Sequence, residues 1–212
     1  MHNSMTRYSF AAGLLFLLNG SAHATEPTLP GLREELLQMA ARDQDARNAA
    51  QKGDVSNWRE IDAANEARLK TIVDQYGWPT FAMIGEDGAH AAWLLAQHVD
   101  SDNAFQLKVL TLMEGLVRQK QASGKDFAYL YDRTHYPQRF GTQGACVSRQ
   151  EWQPFEIEDI AHVEKRRREL KMPSLASYVR MFDCSNPNFV LHSPSDPKRT
   201  VPIPRSGVAT AP

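Results

Sequence analysis

The sequence predicts an all-α fold, a single-domain helical bundle of about six to seven helices, and three observations carry that prediction. From about Gly31 to Asp132, apolar residues recur at spacings of three and four, the period of an amphipathic helix. The breaks between these stretches are brief: Gly53, Gly77 with Pro79, Ser123-Gly124 and Pro173 read as joints between helices rather than domain linkers. The helical pattern fails from Phe140 to Phe155, where Gly141, Gly144 and Pro154 predict a loop or short β-hairpin near 140–156.

Residues 1–24 read as a secretory signal peptide. Arg7 precedes an apolar run from Phe10 to Leu18, and Ala22-His23-Ala24 supplies an A-x-A cleavage signal before Thr25. The run is well short of the roughly 20 residues of a spanning helix, so no stable membrane anchor is expected after cleavage. The expectation is a periplasmic or secreted protein. Its helical domain covers 25–184, and a Pro-rich, non-periodic tail follows over 185–212. Cys146 and Cys184 are expected to pair, because an even count in an oxidising compartment favours a disulfide.

The elements follow in order. A first helix begins near Gly31 after Pro30 and runs to about Lys52, with Leu32, Leu36, Met39 and Ala40 on its stripe. Continuing that spacing lands on Asp43 and Arg47, four apart and able to meet on one face. A second runs from Asp54, read as its N-cap, to Tyr76, with Trp58, Ile61, Leu69, Ile72 and Tyr76 inside and Asn65 on the same stripe. Two successive helices thus each place a polar residue where an apolar one belongs, the pattern of a buried polar network.

Tyr76-Gly77-Trp78-Pro79 is a stop, and 80–88 reads as a short connection. A third helix spans about 89–99 and a fourth about 103–121, offering Phe105, Val109, Leu112, Met113 and Leu116. A fifth, with Phe127, Leu130 and Tyr131, ends before Pro137. Two more span 158–171 and 174–182, the second capped by Ser174.

Charge limits the function. With 24 Lys plus Arg against 25 Asp plus Glu, the chain lacks the basic excess that phosphate neutralisation demands, so no nucleic-acid partner is expected. Lys165 to Arg168 is the only basic cluster and reads as a solvated helix face. No cofactor or metal is expected. His90, His98, Asp100, Asp132 and His135 are suitable ligand types. However, His90 and His98 lie about 12 Å apart along one helix, and no metal signature is present.

The chemistry therefore rests on polar groups turned inward. His98, Asp132 and Asp43 are the candidate acid–base residues, and Arg47, Arg133, Gln44, Asn65, Gln97, Gln143 and Asp100 could hold or orient a small polar substrate. Asp100 contributes only if the helix ends just before it. Thr142 and Cys146 lack a visible activating partner as nucleophiles. The leading reading is a periplasmic hydrolase, since that compartment lacks ATP and most diffusible cofactors. The alternative is a non-catalytic ligand-binding or interaction protein whose cluster is structural. Nothing in the sequence signals an oligomeric state.

One resemblance spans most of the chain. The order D-Q-x-x-R (Asp43–Arg47), Y-G-W-P (Tyr76–Pro79), Q-H-x-D (Gln97–Asp100), D-R (Asp132–Arg133) and G-T-Q (Gly141–Gln143) resembles a family of uncharacterised bacterial proteins, a domain of unknown function. An R-R-x-E-L stretch ending at Leu170 and the following S-L-A-S-Y fit the same likeness. Relatives commonly have Q-H-A-D where this chain has Val99. The resemblance implies a common scaffold for these polar positions and brings no substrate, reaction or cofactor.

Overall fold

The computed structural model describes residues 26–54 and 56–185. The expected signal peptide and nearly all of the Pro-rich tail lie outside them. Helices α1 (Pro30–Gln51), α2 (Trp58–Tyr76), α3 (Phe81–Gln97), α4 (Asn103–Arg118) and α5 (Gly124–Thr134) form the bundle. Then come strands β1 (Gly144–Cys146) and β2 (Trp152–Pro154), a 3₁₀ turn at Ile160–His162, and the short helices α6 (Val163–Glu169) and α7 (Leu175–Val179). The fold is all-α with one small hairpin.

Local chemistry sets the helix starts. Pro30 opens α1, where its missing N–H costs nothing. Side chains of Thr80, Asp102, Ser123 and Ser174 accept from the backbone N–H of Met83, Phe105, Asp126 and Ser177, capping α3, α4, α5 and α7. Gly77 ends α2 in the left-handed region at φ 69°.

The core lies chiefly between α1 and α3. Leu32, Leu36, Met39 and Ala40 of α1 are buried with Ala89, Ala92, Trp93 and Ala96 of α3. Small residues let the two axes come close: a Cβ on Gly88 would sit 3.2 Å from Arg33 Cγ. Leu69, Ile72 and Val73 of α2 and Phe105, Val109 and Met113 of α4 complete the same cluster. Among the described residues, no helix is long and apolar enough to cross a membrane.

Antiparallel pairing sets Cys146 opposite Trp152 and Gly144 opposite Pro154. Cys146 is disulfide-bonded to Cys184, Cα to Cα 5.6 Å, which ties the hairpin to the segment after α7. Trp152, Tyr178 and Phe182 stack around that link.

Four local expectations change. First, Asp54 does not cap α2: its carboxylate accepts from Ser56 N–H and Ser56 Oγ in a local turn, and the helix starts four residues later at Trp58. Second, Tyr76 is exposed at the end of α2, so the inner stripe is Asn65, Leu69, Ile72 and Val73. Third, the stretch 81–88 is helical on either side of Gly85, which stands at φ 73° and ψ 171° and puts a non-helical kink inside α3. Finally, the basic run is not simply solvated. Arg167 is fully buried, donating to the Pro173 and Phe140 carbonyls, and Arg166 donates to those of Arg139, Glu158 and Asp159.

Candidate functional site

Asp43 projects from the buried stripe of α1 and meets His98, the residue that closes α3. Asp43 Oδ2 lies 2.9 Å from His98 Nδ1, and both side chains are almost fully enclosed. One turn along α1, Arg47 Nε lies 3.2 Å from Asp43 Oδ2 and 3.0 Å from the same His98 nitrogen. Gln44 Nε2 donates to Asp43 Oδ2 at 2.7 Å. Arg47 Nη2 donates both to Asp43 Oδ1, at 3.2 Å, and to Asp62 Oδ1 on α2, at 2.9 Å.

His98 Nδ1 faces a donor and an acceptor together. A protonated Nδ1 donates to Asp43, whereas a bare one accepts from Arg47 Nε. The geometry therefore holds the ring while leaving its tautomer exchangeable. Nδ1 is thus occupied in either case.

The two carboxylates on Arg47 are driven apart. Burial opposes the charge on Asp43, but the His98 hydrogen bond and charge, with those of Arg47, outweigh it and hold the carboxyl below its ordinary value. On Asp62 burial prevails, reinforced by the Asp43 charge against the pull of Arg47, Trp58 and His98, and the carboxyl is raised. Asp62 is 26 % exposed and Asp43 1 %, so the raised group is the one that reaches solvent.

Trp58 flanks this centre. Its ring lies 5.6 Å from the Arg47 guanidinium carbon and also lines a pocket of about 280 Å³ with Arg42, Asp45, Asn57 and Ile61.

The other sequence candidates go elsewhere. Arg133 clasps Asp100 with Nε at 3.1 Å and Nη2 at 2.7 and 2.9 Å, tying α5 to the turn after α3. Asp132, its neighbour on α5, accepts from the backbone N–H of Arg139, Phe140 and Thr142 and from Thr142 Oγ1, all between 2.8 and 3.2 Å. Among the described residues, no hydrogen bond or ion pair joins Asp132 to His98. Gln143 Nε2 reaches Thr142 Oγ1 at 3.2 Å, so it belongs to this second region. Gln97 is buried at the end of α3, and its carbonyl, with that of Ala96, accepts from Gln106 Nε2. Asn65 is buried on α2 with its Nδ2 unpartnered.

The histidines weighed as metal ligands are dispersed. His90 pairs with Asp126 at 3.2 Å, His98 with Asp43, and His135 Nδ1 meets Thr134 Oγ1 and the Tyr131 carbonyl oxygen.

Residues 30–187 match the model of a family described as a family of unknown function (DUF6624). The chain belongs to this family. The matched span contains every helix and strand above and both polar regions. No curated protein and no solved structure matches the chain.

Sequence reasoning missed Asp62, Gln106, Gln138 and Arg167. Asp62 had a readable signal, since it stands one turn before Asn65 on the same side of α2. Gln138 had none: it donates to the Gln143 and Phe155 carbonyls and accepts from Gln143 N–H, contacts that exist only once the loop is folded.

Proposed function

We propose that this DUF6624 member is an exported hydrolase that works by acid–base chemistry at Asp43, Arg47, Asp62 and His98. The carrying observation is the enclosed Asp43 carboxylate 2.9 Å from His98 Nδ1, with Arg47 linking it to the solvent-reaching Asp62. A buried carboxylate on one ring nitrogen orients an imidazole for proton transfer at the other. Two acids with opposite shifts divide the roles: Asp43 with His98 serves as base, and Asp62 as proton donor. We assign the second carboxylate to Asp62 rather than Asp132, because both Asp132 oxygens already bind amides of its own loop. Gln44 donates to Asp43 Oδ2, the oxygen that also meets Arg47 Nε and His98 Nδ1.

Export is supported by the leader-like residues 1–24 and by the Cys146–Cys184 disulfide, a bond that persists in oxidising compartments. The expected partner is a small polar substrate.

The test is a panel of esters, amides, glycosides and phosphate esters, assayed with wild type and His98→Ala. One class should be cleaved by wild type, with a loss of about 100-fold or more in the variant. Activity in neither protein, or equal activity in both, would overturn the proposal.

A second reading has one observation in its favour. Arg47 is paired with two carboxylates and His98 is nearly sealed, as in a network that clamps α1, α2 and α3 without catalysis, with or without a small ligand. On that reading His98→Ala would lower the melting temperature and change no activity. A thermal-shift screen with sugars, peptides and phosphate esters would then report binding alone.

A further inference from the structure

Among the described residues beside this centre, two side-chain donors are buried without an acceptor, Trp58 Nε1 and Asn65 Nδ2, and Asn65 is the one that stands one turn after Asp62. Asn65 is 8 % exposed, and its buried Nδ2 has no partner. A buried amide donor without an acceptor weighs against the fold, so an apolar residue would suit the scaffold better. Its position is informative. Asp62, one turn earlier on α2, holds Arg47, which in turn meets His98 Nδ1. Glu66, the next residue, accepts from Ser101, three residues after His98. Asn65 therefore stands on α2 between two contacts that bracket His98.

The charges nearby restrict what such a donor could receive. The Arg47 guanidinium is shared between Asp43 and Asp62. Further along α2, Arg68 is held by Glu35, and Lys70 by Glu66 at 2.6 Å and Asp102 at 2.7 Å. Each of these cations is already engaged by one or two acidic side chains, so none is open to a phosphate group, whereas a neutral carbonyl needs no cation. A glycoside develops positive charge at its reacting carbon, so an amide donor could serve its hydroxyls but not the reacting centre itself. A carbonyl under attack becomes an oxyanion, the species a fixed N–H stabilises most.

We propose that Asn65 Nδ2 receives the carbonyl oxygen of the substrate, and that the substrate class is a neutral ester or amide. This rests on the acid–base reading above. Water adds to the carbonyl carbon, forming the new C–O bond and giving its proton to His98, while the oxyanion is held by Asn65. The bond to the leaving oxygen or nitrogen then breaks, and that atom takes the proton of Asp62. Transfer of the His98 proton back to Asp62 restores the site.

The experiment uses p-nitrophenyl acetate, N-acetyl-alanine p-nitroanilide, p-nitrophenyl phosphate and p-nitrophenyl glucoside with wild type, His98→Ala, Asn65→Leu and Asn65→Gln. Wild type should cleave an acyl probe in a His98-dependent manner. Asn65→Leu should keep or raise the melting temperature and lose about 100-fold in kcat with little change in KM. Asn65→Gln, which retains an amide, should recover part of the loss. His98-dependent cleavage of the phosphate or the glucoside alone would overturn the acyl assignment and leave the acid–base reading standing. Unchanged kcat in Asn65→Leu would remove Asn65 from the reaction. If Asn65→Leu fails to fold, unchanged kcat in Asn65→Gln together with unchanged selectivity would do the same. Cleavage of no probe by wild type would overturn both proposals.

Discussion

Asp43 and Asp132 are each 1 % exposed, yet the two regions around them treat a buried carboxylate in opposite ways. Asp43 is met by side chains that carry or exchange charge, His98 and Arg47, and its carboxyl is held below the ordinary value. Asp132 is met by three backbone amides and a hydroxyl, and burial raises its carboxyl against their combined pull. Equal enclosure thus yields opposite shifts, because ionic partners repay desolvation more fully than neutral dipoles do. The first arrangement is the one to which we assign proton transfer. The second is scaffolding that shapes the 139–142 loop, reinforced by Tyr178 Oη donating to the Thr142 carbonyl at 3.0 Å.

The contrast is broken most forcefully at Asp132. Asp132→Ala would leave three backbone N–H groups without their acceptor, for a loss of about 5 kcal/mol. Urea denaturation should show that loss, and a change below about 1 kcal/mol would mean that the loop finds other acceptors.

Next is the disulfide, whose residues are 38 apart and whose removal should cost about 4 kcal/mol by the chain-entropy argument. Hydrogen exchange on Cys146→Ser with Cys184→Ser should quicken from β1 to α7 while protection in α1 and α3 persists. Equal loosening around Asp43 would show that the regions do not separate.

The finest effect is one of pH. The Asp43 contribution is complete above the unfolded carboxyl value of about 3.9 and is lost as pH falls through its lower folded value. Asp132 runs the other way. Its ionisation weighs against the fold above the raised folded value, and that cost disappears as pH falls below about 3.9. From pH 7 to pH 3, the stability gap between wild type and Asp43→Asn, about 2 kcal/mol at neutrality, should narrow. The gap to Asp132→Asn should widen. Two gaps moving in the same direction would erase the distinction.

Much of this was legible from residue spacing. Pro30 and Ser123 mark helix starts because their chemistry is local, and the α1 stripe carries Asp43 to the core as surely as it carries Leu36. The start of α2 was hidden because the Asp54 carboxylate is consumed by Ser56 instead of by a helix. The stretch 80–88 reads as a connection, yet helix continues on either side of the kink at Gly85, and Gly88 admits Arg33 against α3. Within the candidate site, Asp43 and Arg47 could be grouped by helical period, whereas His98, at the end of another helix, stood out only as a polar group in a run patterned for burial. The partners of Asp132 could not, since they are backbone amides 7 to 10 residues onward, and any sequence has amides there.

Asp132 and Arg133 are consecutive on α5, so their side chains leave the axis about 100° apart. One grips the 139–142 loop and the other the turn that follows His98. The dipeptide thus works as a shared axle: a single residue inserted after Leu130 would rotate both grips off their loops at once. Helical phase in the last turn of α5 is therefore a tighter constraint on this chain than the identity of its outward-facing residues, and the regions contrasted above would lose their alignment together.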